Sequence, residues 1–414
     1  MRKFIQAVFT GFFATVTKIS GVLKLKFGVL IFSFFLNVFL SLYCDDYALF
    51  ATLNKFLAVS NVVALVGLNV TGYTHIGKIN SFVALSIVAI VVVLSICCAV
   101  AFNLVGVNNQ GPPISILTVI LPVYFVSRLG LELLKHKGNL VLYEFLNSLF
   151  RLIAFTLAFL IIRGIWQSWL LSLGLYSVVM CFVAYANIPK QALVKKPKAK
   201  NSSVRVVIGE GVNALSTSGI ALIVASLPVL TLAAHGYREM VELVAIVEFI
   251  VLPIELPLFA SNLNLTKVLK EYKNGVVVRE QVNGRLREVN VQNIKLSLII
   301  SCASVIVLVL YGIVKAPEWN AYVISFGILA VTRIFSVASG SNLLIFNLVA
   351  SGSSGSKTRR GTATVVLAMV FLGFLWAKAN PIWILAVASM ASIFLNVTYV
   401  RSCRRMGINP ALYG

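Results

Sequence analysis

Twelve apolar stretches of membrane-spanning length constrain this chain more than any other feature of its sequence. A helix needs about 20 apolar residues to cross the hydrocarbon core of a bilayer. With 59% hydrophobic and only 12% charged residues, the chain does not have the composition of a soluble domain. We therefore predict an all-α polytopic membrane protein. Its predicted spans are 27–43, 48–68, 82–105, 114–134, 140–162, 166–185, 207–234, 240–259, 296–314, 321–341, 362–376 and 382–400.

The basic residues sort almost entirely to one side of these spans. Of the 35 Lys and Arg residues, 27 fall on one set of flanks, four on the opposite flanks and four inside spans. Short loops rich in Lys and Arg stay cytoplasmic during insertion, so both termini are expected in the cytoplasm. The net charge of +22 is then a topology signal and a source of contacts to anionic lipid. No basic soluble domain remains to bind nucleic acid.

A basic segment divides the chain into two halves of six spans each. We expect a first lobe over residues 1–187, a cytoplasmic linker over 188–206 and a second lobe over 207–414. The fourth span of each half carries a similar tetrapeptide, VSRL around Arg128 and VTRI around Arg333. This pattern favours an internal duplication, which is typical of alternating-access transporters.

Four cations inside predicted spans are the first candidates for a site: Arg128, Arg333, Arg151 and Lys55. Charged groups facing lipid are strongly disfavoured, so these side chains are expected to face the protein interior or a watery cavity. Arginine suits phosphate because its planar fork donates paired hydrogen bonds at any pH. Two alternatives stay open: Arg151 could pair with Glu144, seven residues earlier, and Lys55 could extend toward the membrane surface.

Two acids on the eighth predicted span form a second candidate group. Glu248 and Glu255 are seven residues apart and therefore share nearly one helix face. Pro253 and Pro257 flank Glu255 and are expected to interrupt the helix there. A buried carboxylate beside freed carbonyls could bind a coupling H⁺ or Na⁺, or the acids could instead neutralise intramembrane cations. No cofactor, metal centre or disulfide framework is expected.

Two basic segments are expected to lie at the membrane surface. Residues 4–16 are predicted to form a short surface helix, or an extension of the first span, that is retained in the mature chain. The charged segment 263–291 is predicted to form an interfacial helix and a turn at Asn274 and Gly275.

The arrangement resembles a known family of membrane proteins. Two six-span halves, a basic segment between them and very short outer loops are similar to the O-antigen/polysaccharide translocases of the MATE-like multidrug/oligosaccharidyl-lipid/polysaccharide superfamily. The best local resemblance is at 235–243, which reads HGYREMVEL, followed by a proline-containing eighth span and a charged segment. The run at Lys137, Gly138 and Asn139 resembles the family's turn between the fourth and fifth spans more loosely.

The resemblance implies a V-shaped transporter and not an enzyme. Such a protein would move a polyprenyl-pyrophosphate-linked oligosaccharide from the cytoplasmic to the outer leaflet of the bacterial inner membrane, for O-antigen lipopolysaccharide or a related surface polysaccharide. A cationic cavity between the lobes would hold the substrate, and Arg128, Arg333, Arg151 and Lys55 fit such a cavity. A polysaccharide polymerase and a chain-length regulator are the implied protein partners.

Two other functions stay open. A multidrug or cation antiporter of the same superfamily would need buried acids in its cavity, whereas the first-half spans carry only Glu132 and Glu144, both near the cytoplasmic end. A membrane polysaccharide polymerase, ligase or glycosyltransferase would need a sizeable outer loop to hold sugar, and the predicted outer loops are a few residues long.

Overall fold

Helices long and apolar enough to cross a membrane account for nearly all of the described chain. The computed structural model describes residues 21–68, 81–104, 111–136, 139–187, 203–273, 275–315, 319–349, 353–378 and 380–412. Within these ranges there are 12 candidate membrane spans and no β-strand. The prediction of an all-α protein with twelve spans is therefore confirmed.

We number the helices in chain order. The spans are α1 Gly21–Tyr43, α2 Tyr47–Ala64, α3 Ser81–Leu104, α4 Ile114–His136, α5 Leu140–Ile162, α6 Ile165–Asn187, α7 Val204–Ala234, α8 (residues 238–273), α9 Arg279–Lys315, α10 Trp319–Ala338, α12 Ser353–Ala377 and α13 Ile382–Arg405. The sequence pattern did not predict α11, a short helix over Asn342–Val349.

Three spans contain an irregular turn. A π-helical turn interrupts α5 at Phe145–Leu149 and another interrupts α7 at Leu215–Gly219. In α8 a 3-10 turn over Leu252–Glu255 separates Arg238–Val251 from Leu256–Lys273. Pro253 lies in this turn, where its missing N–H leaves a regular α-helical hydrogen bond unformed. The interruption predicted around Glu255 is therefore present.

The helix α2 makes most of the contacts between the first-half and the second-half helices. In the described ranges, α3–α6 pack chiefly on one another, and the helices from α7 onward do likewise. The exceptions are α2, which packs along α7 and α8, α1, which packs on α8, and α3, which contacts the start of α7. The main hydrophobic core accordingly contains residues of both halves.

Two glycines allow the C-terminal end of α2 to approach α7 closely. This end lies on the side of the membrane where most Lys and Arg residues are found. Gly67 follows α2 with φ +69°, a conformation that side chains with a Cβ rarely adopt. Its partner Gly211 faces the Val66 carbonyl so closely that an added Cβ would overlap the carbonyl oxygen. Gly209, two residues earlier on α7, faces open space instead. The contact therefore needs glycine at 211 but not at 209.

The charged segment 263–291 corrects the sequence prediction. It contains no separate interfacial helix, because α8 continues to Lys273 and α9 begins at Arg279 and runs for 37 residues. Between them Gly275 has φ +75°, which agrees with the predicted turn. The extended helix ends form a second hydrophobic core with α11 and the C-terminal segment, and this core includes Leu269, Leu286 and Ile408.

Polar contacts join the C-terminal segment to the start of α9. The Arg279 guanidinium donates to the Gly407 carbonyl at 2.5 Å, and the Asn283 amide donates to the same oxygen at 3.2 Å. Asn290, fully buried, donates to the Pro410 carbonyl. These bonds satisfy carbonyls beyond the end of α13 and hold the C-terminal segment on α9.

Two predictions concern residues that are only partly described. The expected N-terminal surface helix over 4–16 lies outside the described residues, as do residues 188–202 of the linker. Residues Val204, Arg205 and Val206, which the linker was predicted to contain, are instead the first turn of α7. The division of the chain into two lobes at this segment stays a prediction.

We expect Gly211→Ala to destabilise the protein and Gly209→Ala to leave its stability unchanged or slightly raise it. The first substitution forces α2 and α7 apart, whereas the second adds a better helix former in open space, worth up to ~1 kcal/mol. Thermal unfolding of the two purified variants in detergent measures the difference. Equal unfolding temperatures would show that the two helices can separate there without cost.

Candidate functional site

The ion pair between Lys55 and Glu248 joins the two halves inside the membrane. Lys55 Nζ on α2 lies 2.5 Å from Glu248 Oε2 on α8. The Lys55 side chain is 24% exposed and that of Glu248 is 6% exposed. Lys55 lies about 8 residues from the end of α2 that the sequence predicts to face outward, or ~12 Å along the helix. We call that side of the membrane the outward side and the opposite one the basic side. Lys55 is therefore held by a buried carboxylate instead of extending to the surface.

A second ion pair lies deeper, within the second half. Arg333 Nη1 on α10 donates to Glu255 Oε2 on α8 at 2.6 Å, with the side chains 19% and 8% exposed. Glu255 ends the 3-10 turn of α8. Because the turn changes the helical register, it contributes to the direction in which this carboxylate points.

The two acids make α8 the helix that connects both cations. Glu248 and Glu255 lie on nearly one face, and Arg333 also interacts electrostatically with Glu248. These four residues thus form a chain in which cations and carboxylates alternate, in the order Lys55, Glu248, Arg333 and Glu255. We call it the charged row. Its formal charges cancel, because each cation has one carboxylate partner.

Arg128 and Arg151 belong to a different group in the first half. Arg128 Nη1 donates to the Tyr124 hydroxyl at 3.1 Å, and its other terminal nitrogen donates to Asn147 Oδ1. Arg151 interacts with the same Tyr124 hydroxyl. Tyr176, fully buried, packs against Tyr124 with ring centroids 5.1 Å apart. We call these five residues the arginine–tyrosine cluster.

The partners in this cluster are uncharged. Among the residues that the structure describes, no carboxylate forms an ion pair with Arg128 or Arg151. Both arginines are partly exposed. Among the described residues, two positive charges are therefore held inside the membrane by hydroxyl and amide groups, which differs from the charged row, where each cation has a carboxylate partner.

The structure brings the predicted site residues together in two groups and not in one. Lys55 and Arg333 belong to the charged row, whereas Arg128 and Arg151 belong to the arginine–tyrosine cluster. Glu144, a proposed partner of Arg151, instead accepts a hydrogen bond from Ser148 at 3.1 Å and lies 3.9 Å from Lys26. Glu248 and Glu255 each form an ion pair with a cation, and a role for either of them in binding a coupling ion stays a prediction.

Polar contacts tie the two halves at their outward ends. Arg238, the first residue of α8, forms an ion pair with Asp46 at 2.9 Å and also donates to the Asp45 carbonyl. Lys315, the last residue of α9, donates to the Ser41 carbonyl of α1 at 2.6 Å. With the Lys55 pair below them, these contacts close the outward side between α1, α2, α8 and α9.

The opposite ends of the two halves are joined less extensively. In the described ranges, α4 and α5 make no extended contact with α8, α9 or α10, and the part of α8 after Glu255 makes its extended contacts within the second half. The extended contacts there are those of α2 with α7, at Gly67 and Gly211, and of α3 with the start of α7. In the described ranges the halves are thus joined more extensively on the outward side than on the basic side.

Two surface cavities lie apart from both groups of cations. A cavity of about 660 Å³ between α4 and α6 has an almost wholly apolar lining that includes Val119, Val178 and Phe182. A cavity of about 770 Å³ lies between α3, α7 and α12 and includes Arg205 and Arg360. None of the four intramembrane cations lines either cavity.

Comparison with known proteins does not assign the chain to a family. No family model matches it, and no curated protein matches it. A crystal structure described as MATE in complex with MaL6 aligns with 94% of this chain and 95% of that chain, at 14% identity and a TM-score of 0.45. A likeness at this level does not by itself carry that protein's fold or function over to this one.

Sequence reasoning missed the neutral members of the arginine–tyrosine cluster. Tyr124 lies four residues before Arg128, and this helical spacing was a usable signal for their contact. Asn147 gave no such signal, because its approach to Arg128 from the π-helical turn of α5 depends on a local change of register.

We expect removal of one partner of the Lys55–Glu248 pair to cost more stability than removal of both. Each of Lys55→Ala and Glu248→Ala leaves a buried charge without its partner, which costs about 3–5 kcal/mol, whereas the double variant leaves none. Unfolding free energies in mixed micelles measure this coupling.

The control for this cycle is the exposed pair Arg285–Glu288, at 2.8 Å, with side chains 56% and 55% exposed. The same cycle there should give a coupling of at most ~1 kcal/mol, because solvent screens the charges. Comparable coupling at the two sites would contradict the account of the buried pair.

We expect the Cys44 thiol to react with maleimides slowly at neutral pH. Burial raises the pKa of Cys44 above its usual value, and the carboxylates of Asp46 and Asp45 raise it further. Less thiolate is therefore present at pH 7, and the labelling rate should still rise steeply above pH 8.5. Asp45→Asn should speed labelling at pH 8 by about twofold. Labelling of a variant that keeps only this cysteine tests both effects, and a rate that levels off below pH 8 would contradict them.

Proposed function

We propose that this protein is a flippase that moves a polyprenyl-pyrophosphate-linked oligosaccharide across the bacterial inner membrane for O-antigen or related polysaccharide synthesis. The observation that carries the proposal is the arginine–tyrosine cluster, in which the partners of Arg128 and Arg151 within the described ranges are all uncharged. An arginine inside a membrane costs at least ~2.5 kcal/mol without a partner, so a pair held by neutral groups favours an anionic ligand. A pyrophosphate supplies the complementary charge and accepts paired hydrogen bonds from each guanidinium.

The amphipathic substrate fits an arrangement of two halves that are joined less extensively on the basic side. The glycan and the pyrophosphate are polar and need a hydrated route, whereas the polyprenyl tail can stay in the bilayer beside the helices. In this proposal the cytoplasmic substrate enters on the basic side, and Arg128 and Arg151 make that route cationic. Lys55 and Arg333 would add to its charge only when Glu248 and Glu255 release them.

Alternating access would follow from breaking the outward contacts. The Arg238–Asp46 pair and the Lys315–Ser41 bond close the outward side, so opening toward that side requires their loss. The Lys55–Glu248 pair would be strained by the same movement because its two residues belong to different halves. A coupling H⁺ or Na⁺ that competes with Lys55 for Glu248, or an anionic substrate that competes with Glu248 for Lys55, would favour the outward-open state. No bond of the substrate is broken, so the cycle needs no catalytic residue.

The cation antiporter is less well supported by these contacts. Binding of a cationic drug requires an available buried carboxylate, but Glu248 and Glu255 each have a basic partner. In the first half, Glu144 contacts Ser148 and Lys26 near the basic end of α5. Glu132 is buried near the basic end of α4 and also has an interaction in the structure. The intramembrane balance of charge therefore favours an anionic cargo.

We expect deletion of the gene in its native host to abolish the surface polysaccharide and to trap complete lipid-linked repeat units on the cytoplasmic leaflet. Complementation by Arg128→Ala or Arg151→Ala should fail with normal protein in the membrane, while Arg128→Lys should restore part of the export because the charge remains. Arg405→Ala changes an exposed arginine at the end of α13 and should export normally. Surface glycan and the leaflet distribution of the lipid-linked units are the two measurements.

The possible results separate the alternatives. Normal glycan in the deletion strain would refute the flippase and direct attention to drug efflux. Repeat units that reach the outer leaflet but stay unpolymerised would support a polymerase instead. Full export by the variant lacking both Arg128 and Arg151 would leave the flippase standing and refute the cationic site.

A further inference from the structure

The cavity between α3, α7 and α12 combines a basic rim with an apolar wall. Its volume of about 770 Å³ lies within the usual range for small-ligand sites. Arg205 and Arg360 contribute the basic rim, and Ile90 and Val212 are among the apolar side chains of the wall. The cavity uses none of the residues assigned above to the charged row or to the arginine–tyrosine cluster.

The residues that line this cavity lie at two depths, which match the headgroup layer and the hydrocarbon layer of a bilayer. The helices α3, α7 and α12 run in the same direction, so all three begin on the basic side of the membrane. Arg205 and Arg360 lie in the first turns of the spans that begin at Val204 and Lys357. Ile90 and Val212 lie about 8 residues into their spans, or ~12 Å deeper. The rim is therefore at the level of lipid headgroups and the wall is in the hydrocarbon.

The rim has an excess of positive charge. Arg205 and Arg360 are exposed, and neither forms an ion pair with any residue in the ranges that the structure describes. Glu210 also lines the cavity and has an interaction of its own in the structure. Two guanidinium groups against one carboxylate leave a net attraction for an anion, and the Asn213 amide adds a hydrogen-bond donor to the wall.

We propose that this cavity binds an anionic glycerophospholipid of the cytoplasmic leaflet. The phosphate would accept hydrogen bonds from Arg205 and Arg360, and an acyl chain would cover Ile90 and Val212. A free phosphate ion would use the rim but leave the apolar wall exposed, so the combination of both surfaces favours a lipid. Because α3 belongs to the first half and α7 and α12 to the second, the bound lipid would bridge the halves at the basic side and favour conformations that keep this cavity intact.

Gly209 provides a way to test the cavity without removing its charges. It lines the cavity, and an added Cβ would meet no atom within 4 Å. Gly209→Leu should therefore fill the space with a side chain that α7 tolerates, while Arg205 and Arg360 stay in place. The matched control for the loss of arginine is Arg401→Gln, which removes an exposed cation from the basic end of α13, outside the cavity.

The experiment is a titration of the purified full chain with dioleoyl phosphatidylglycerol, followed by native mass spectrometry. Dioleoyl phosphatidylcholine has the same acyl chains without the net charge and serves as the lipid comparison. We expect the first phosphatidylglycerol to bind about tenfold more tightly than phosphatidylcholine. The double variant Arg205→Gln/Arg360→Gln should lose this preference, Gly209→Leu should weaken phosphatidylglycerol binding about tenfold, and Arg401→Gln should bind as the wild type does.

Three results would overturn the proposal. Wild-type affinity in the double variant would place the anionic lipid elsewhere on the protein. Wild-type affinity in Gly209→Leu would show that the arginines attract lipid from the surface without use of the cavity, and this variant gives an answer even if the double variant does not fold. Binding of inorganic phosphate as tight as that of phosphatidylglycerol would assign the rim to a free anion.

Discussion

The high cost of a charge in hydrocarbon determines how α8 is built and what it contacts. Its two carboxylates lie at the depth of Lys55 and Arg333, and each carboxylate removes the cost of one cation. Because Lys55 belongs to α2, the requirement for a partner also fixes the position of α2 against the second half. The packing of α2 between α7 and α8 thus satisfies a charge and buries apolar surface at the same time.

The first half meets the same constraint in a different way. Its two central arginines contact a phenol and an amide, so they have hydrogen-bond partners, but no carboxylate in the described ranges neutralises their charge. In both halves an irregular turn carries a partner, since Asn147 lies in the π-helical turn of α5 and Glu255 ends the 3-10 turn of α8. A regular helix would direct these two side chains differently, which is a physical reason for the turns to occur at this depth.

The sequence was most informative where a single physical requirement dominates. Span number, the break near Pro253 and the intramembrane position of the four cations follow from the cost of exposing polar groups to lipid. The similar positions of Arg128 and Arg333, each about 14 residues from the outward end of its helix, also agree with the tetrapeptide match. The partners of these arginines could not be predicted from that match, because one is an amide on α5 and the other a carboxylate on α8.

The extension of α8 and α9 beyond the membrane escaped prediction for a related reason. Outside the hydrocarbon the helix is no longer marked by a continuous apolar run, and Leu269, Leu286 and Ile408 form a core only when three distant segments meet. Likewise, nothing in the local pattern around 406–412 indicates the bonds from Arg279, Asn283 and Asn290 that hold this segment on α9.

The hydrogen bonds between α9 and the C-terminal segment stiffen the part of α9 that extends beyond the membrane. At 37 residues the helix is ~55 Å long, against a hydrocarbon thickness of ~30 Å, so nearly half of its length extends beyond the spanning region. Because the C-terminal segment and the end of α8 brace it, the tip moves with the second half as one body. A tilt of that half by one degree about the membrane centre displaces the far end of α9, ~40 Å away, by ~0.7 Å, so a rotation of about ten degrees moves that end by ~7 Å on the basic side.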